Sequence, residues 1–196
     1  MPGEQSHFKM EPEIRKQWRE SKNVAKRKPK QAAVVALFYP NQHQETQLLL
    51  ILRNTYKGVH SNQIGFPGGK VEPEDNNLEI TALRETHEEV GVLPKDIEIL
   101  KKLSKLYIPP SNFMVQPFIG LYAKPKPFKI QESEVEALVE VSFSDFMNDK
   151  NLIYQNLTTS YAKNIDVPAF KLNGYTVWGA TAMMLSEIKD LLRQVL

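Results

Sequence analysis

Gly68-Gly69-Lys70-Val71-Glu72-Pro73-Glu74-Asp75 leads, after an eight-residue spacer, to Arg84-Glu85-Thr86-His87-Glu88-Glu89-Val90-Gly91. The first segment reads as a glycine turn. The second reads as the end of a helix that carries three carboxylates within five positions. At about 100° per residue, Glu85, Glu88 and Glu89 fall inside a sector of roughly 100°. Anions so placed repel one another unless a cation sits among them. Oxygen donors that leave open positions suit Mg²⁺ or Mn²⁺, metals that commonly accompany phosphate substrates. The pattern therefore points to metal-assisted attack on a phosphate compound.

Outward from this stretch, the sequence reads as alternating strands and helices. Ala32 to Tyr39 is a continuous apolar run with β-branched residues, as in a buried strand, and Gln47 to Leu52 is a second. A short strand is expected within Gln63 to Phe66. A helix is expected from about Leu78 to Val90, stopped by Gly91 and by Pro94 beyond it. Ile97 to Tyr107, Phe113 to Tyr122 and Val135 to Phe143 read as strands, and Ser144 to Met147 as a short helix. Tyr154 to Tyr161 and Val167 to Leu172 bracket the last β segment, before an Asn173-Gly174 turn. Trp178, Ala182, Leu185, Ile188, Leu192 and Val195 recur at helical spacing and read as a core-packing stripe. The expected architecture is α/β (α+β), a mixed sheet sandwiched between helices.

The chain has 196 residues, 41% of them hydrophobic and 24% charged, which suits a globular fold with a substantial core. A net charge of +2 does not itself imply a nucleic-acid or membrane partner. Without cysteine, disulfides, thiolate metal sites and a cysteine nucleophile are excluded. No signal-peptide core or membrane-length apolar run is present, so a cytoplasmic location is the expectation. Residues 1–30 read as a polar N-terminal segment, with a short helix near Ile14 to Arg19 and a basic linker through Lys22, Lys26, Arg27, Lys28 and Lys30. Residues 31–196 form the expected domain.

Residues Gly69 to Val92 resemble the Nudix box, G-x5-E-x7-R-E-U-x-E-E-x-G-U with U apolar. Gly69, Arg84, Glu85, Glu88, Glu89, Gly91 and Val92 occupy its fixed positions. Asp75 replaces a Glu, the spacer to Arg84 is one residue longer, and Thr86 replaces an apolar residue. Leu49 to Asn54, His60 to Gly69, Thr81 to Glu85 and Val177 to Ala182 further resemble the coenzyme A diphosphatase branch, with Asn62, Asn54 and Glu72 as departures.

The resemblance implies a Nudix fold and hydrolysis of the diphosphate bond of coenzyme A or its derivatives. It implies Mg²⁺ or Mn²⁺ held by Glu85, Glu88, Glu89 and the Gly69 carbonyl, with Glu88 first choice and Glu134 an outside candidate for the base. Arg84 would orient a glutamate or hold the helix to the loop, and Asp75 would fix that loop. Arg53, His60 and Gln63 would meet substrate or tie the long loop to the sheet. His87 should face solvent. The partner would be a small nucleotide-containing molecule, with no membrane and no nucleic acid expected, and a homodimer is compatible. Rival readings are the same chemistry on ADP-ribose or a dinucleotide, a non-catalytic ligand-binding module, and nucleic-acid binding through the basic run.

Overall fold

The computed structural model describes residues 2–20, 28–54, 62–158 and 164–196, with backbone only for 17–20. Its central sheet runs β3-β2-β1-β7-β5, formed by β1 (Lys30–Pro40), β2 (Thr46–Arg53), β3 (Ile64–Gly65), β5 (Glu98–Lys102) and β7 (Phe113–Leu121). Three further strands join it. β4 (Gly68–Lys70) pairs with β1, β6 (Leu106–Ile108) with β7, and β8 (Val135–Ser142) with β2. The β1–β7 pairing is parallel and the others are antiparallel.

β1 alternates between two cores. Ala33, Val35, Leu37 and Tyr39 pack on the side of α3 (Leu78–Val90) with Ala82 and Val90. Ala32, Ala36 and Phe38 belong to the core shared with α5 (Gly179–Leu192). Burial on both faces explains why this strand reads as an unbroken apolar run. A separate antiparallel sheet, β9 (Leu152–Leu157), β10 (Ile165–Leu172) and β11 (Tyr175–Trp178), flanks α5, with α4 (Phe143–Met147) preceding it.

The expected strand from Ile97 to Tyr107 is two strands instead. Between them Leu103 donates its N–H to the Pro117 carbonyl, while the buried Gln116 amide donates to the Leu103 carbonyl, 2.7 Å. Pro117 has no N–H to return to Leu103, so the ladder is interrupted there and the Gln116 side chain supplies the donor. The C-terminal stripe also needs correction. Ala182, Leu185 and Ile188 are buried, but Trp178 precedes the helix and Val195 is 79% exposed beyond it.

The N-terminal segment holds two helices, α1 (Gly3–Lys9) and α2 (Glu13–Glu20), where one was expected. α1 packs against α5: buried His7 lies 2.9 Å from the buried Glu187 carboxylate, which also accepts from the Ser104 hydroxyl at 2.8 Å. Of the basic run, Lys22, Lys26 and Arg27 lie outside the described residues.

Candidate active site

α3 begins at Asn77, whose side chain accepts from the N–H groups of Glu79 and Ile80, both at 2.9 Å. This cap satisfies donors that a helix start leaves unpaired. Gly91 ends the helix, its N–H donating to the His87 carbonyl. The helix lies against β1 and β4, which brings its three glutamates toward the glycine turn.

Glu89 is the innermost. Its side chain is 1% exposed, accepts from the Gly68 N–H at 2.7 Å and lies 3.3 Å from the Arg53 guanidinium. Arg53 also donates to the Gly68 carbonyl, 2.7 Å. Burial pushes the Glu89 carboxyl up to about 7; Arg53 and the Gly68 N–H oppose that, and Glu85 and Glu134 add to it. Glu85 is raised in the same way, first by burial, with Arg84 opposing and Glu88 and Glu134 reinforcing. Its carboxylate lies directly over Gly69. A Cβ on that glycine would sit 2.3–2.6 Å from the carboxylate atoms, so only glycine allows this approach. Glu88 is about half exposed and His87 faces solvent.

Arg84 ties these parts together. It holds Asp75 through two hydrogen bonds, at 3.0 and 2.9 Å, and donates to the Lys70 carbonyl at 3.1 Å. It also lies 3.1 Å from Glu85 and 2.9 Å from Glu88. The hydrogen bond from Arg84 holds the Asp75 carboxyl well below the usual range, and Asp75 in return accepts from the Glu72 N–H at 2.9 Å. The loop with the extra residue is thus closed on itself and on the helix.

Glu134, named in the sequence reading as a candidate outside the helix, has a field that reaches both Glu85 and Glu89. Its segment is fastened nearby: Asn54 N–H donates to the Glu134 carbonyl at 2.9 Å, and Gln131 N–H to the Glu89 carbonyl at 3.0 Å. Gln63 is half-buried, its carbonyl accepting from the Arg53 N–H. His60 lies outside the described residues.

Among the described residues, no three acidic or histidine side chains converge tightly enough to form a ready-made metal cluster. Arg53 and Arg84 lie among the glutamates and hold them. The donor chemistry still fits a hard divalent cation, since every donor is oxygen and two carboxylates, Glu85 and Glu89, are destabilised by burial and by neighbouring carboxylates.

A cleft of about 310 Å³ opens beside the turn, on the α5 side of the sheet. Arg53, Gln63, Gly68, Gly69 and Lys70 form its polar end. Among the described residues no glutamate lines it, and Gly68 and Gly69 lie between its lining and Glu85 and Glu89. Sequence reasoning did not single out its apolar walls, because they come from segments far apart in the chain. Phe113 and Trp178 line this cleft.

A family model for the NUDIX domain matches residues 29–158. The chain belongs to the Nudix family. Its relatives include Nudix hydrolase 22, chloroplastic, of Arabidopsis thaliana, 28% identical over 86% of this chain and 57% of that protein. The chain thus spans little more than half the length of that relative. The uncharacterized Nudix hydrolase NudL of Yersinia pestis is 31% identical over 74% of this chain and 71% of that protein. The Nudix fold is shared with RenU, a Nudix hydrolase from M. smegmatis, at a TM-score of 0.59 and 14% identity, covering 86% of this chain and 88% of that one. It is shared also with an Ap4A hydrolase from C. elegans, at 0.56 and 15%, covering 84% and 98%. No described helix is long and apolar enough to cross a membrane.

Proposed function

We propose that this chain is a Nudix hydrolase that cleaves the diphosphate bond of coenzyme A or its thioester derivatives, using Mg²⁺ or Mn²⁺. The products are adenosine 3′,5′-bisphosphate and 4′-phosphopantetheine or its acyl form. The supporting observation is the pair of helix carboxylates, Glu85 and Glu89, pressed against the Gly68-Gly69 turn, both raised first by burial and then by neighbouring carboxylates. Glu85, Glu88, Glu89 and the Gly69 carbonyl would hold the metal. When bound, it supplies Lewis-acid polarisation of a phosphate oxygen and lowers the pKa of water.

The chain's own residues do the rest. Glu88 is half exposed and oriented by Arg84, so it can reach a water and take its proton. Glu134, exposed on the neighbouring loop, is the second candidate for that proton. Arg53 fixes Glu89 and the turn, and its guanidinium at the cleft's polar end suits a phosphate oxygen. A second reading keeps this chemistry and changes the substrate to another nucleoside diphosphate derivative, such as ADP-ribose or a dinucleotide.

The test is incubation with coenzyme A and Mg²⁺ or Mn²⁺, products resolved by mass, beside Glu88→Gln. Release of both products, lost in the variant, supports the proposal. Cleavage of ADP-ribose or a dinucleotide alone transfers it to the second reading. Inactivity on all of them points to a ligand-binding module.

A further inference from the structure

Apart from its polar end and Arg15, the cleft is lined mainly by apolar residues. Its sheet-derived floor includes Ala32, Val34, Phe113 and Val115, and Trp178, Ala180 and Met184 supply the α5 wall. Pro12, Ile14 and Arg15 make the other wall. Both walls lie outside residues 29–158, the span that matches the NUDIX model, while the floor and the polar end lie inside it.

The N-terminal wall is held in place. Arg15 donates to the Tyr107 carbonyl and lies 3.4 Å from Glu11, while Met10 just before it is 5% exposed in the main core. α1 clamps the same segment to α5 through His7 and Glu187. The two arginines of the cleft are each matched by a carboxylate, Arg15 by Glu11 and Arg53 by Glu89, and Lys70 sits at the exposed rim. A second charged group would find little there. An uncharged one would exchange water for apolar surface.

We infer that this cleft receives the uncharged arm of the diphosphate substrate, and that Ile14 on the N-terminal wall sets how long an arm is accepted. The inference rests on the diphosphatase reading for its substrate, with pantetheine as the arm of coenzyme A. The diphosphate then lies across the glycine turn and the adenosine bisphosphate half stays outside the cleft.

The experiment is calorimetric titration of pantetheine and, separately, of adenosine 3′,5′-bisphosphate with Mg²⁺, into wild type, Ile14→Trp and Ile14→Ala. Ile14 is only half-buried, so both variants should fold, which a thermal melt checks. Ile14→Trp is expected to weaken pantetheine roughly tenfold and leave the bisphosphate within about twofold. Ile14→Ala should lower KM for long acyl thioesters relative to coenzyme A. Equal pantetheine binding by wild type and Ile14→Trp overturns the inference, as does no pantetheine binding to wild type at millimolar concentration, or a loss confined to the bisphosphate. Pantetheine binding that Ile14→Trp abolishes, in a protein that does not turn over coenzyme A, keeps the cleft and removes the substrate. Turnover with unaffected pantetheine binding does the reverse.

Discussion

Gly69→Ala separates the site from the scaffold. The added Cβ would stand 2.3 Å from one Glu85 carboxylate oxygen, where contacts below 3.0 Å essentially never occur. Gly69 is not in the left-handed region, so alanine brings no backbone strain, and the neighbour that must give is a side chain 14% exposed and able to swing outward. Overpacking costs about 1–3 kcal/mol when a core must absorb it, and the low end applies here. Displacing a carboxylate by about 1 Å can cost on the order of 10²-fold in rate. The variant should therefore melt close to wild type while its metal-dependent kcat falls about 10²-fold, and it should need more metal for half-maximal rate. Gly68→Ala is the contrast. Its φ is 141°, and its Cβ would lie 2.3 Å from the Ala33 carbonyl oxygen and 2.5 Å from the Val34 Cα, both backbone of β1. That variant should lose stability first. The assays are hydrolysis against metal concentration and thermal denaturation. Wild-type kcat and wild-type metal dependence in Gly69→Ala would refute the argument.

Arg53→Ala leaves the buried Glu89 with the Gly68 N–H as its partner among the described residues, and should cost about 2–3 kcal/mol by urea denaturation, below the full figure for a deeply buried pair because Arg53 is 25% exposed. Arg53→Lys should recover only part of this, since an ammonium cannot reproduce both guanidinium contacts. Glu88→Gln should lower kcat about 10²- to 10⁴-fold, while its half-exposed position keeps the stability change within about 0.5 kcal/mol. Burial works to raise the Glu187 carboxyl, but hydrogen bonds from His7 and Ser104 outweigh it and hold the group below 4.5. Its stabilisation is present above that value and lost as pH falls through the lower folded value. The Tm advantage of wild type over Glu187→Gln should therefore shrink in acid, and an advantage that grows there would reverse the sign.

The parts governed by local rules were legible. Helix α3 runs over the expected Leu78 to Val90 and stops at Gly91, and β1 is apolar from Ala32 to Tyr39 because both faces are covered there. The unequal fates of three glutamates on one helix were not. Glu89 is buried and Glu88 exposed because β4 and Arg53 press on one side only, which no helical wheel contains. α1 was missed because its buried groups, Ser6 and His7, are polar and find their partners on α5 and its surroundings, at the other end of the chain. The break after β5 follows from a glutamine side chain bonding a distant backbone carbonyl, which leaves no periodic trace.

The parallel pairing of β1 with β7 carries a kinetic consequence. Lys30 lies beside Phe113 and Phe38 beside Leu121, so β2, β3, β4, α3, β5 and β6 all fall within the crossover. Glu85, Glu88 and Glu89, with Arg53 and Arg84, are inside that loop. The β1–β2 hairpin can close early, but β1 waits for β7 far along the chain, and closing a long loop costs entropy before its contacts form. A chain emerging in order would thus expose the whole acidic motif before β7, the parallel partner of β1, exists. The site is among the first parts of the domain to be written and among the last to be assembled.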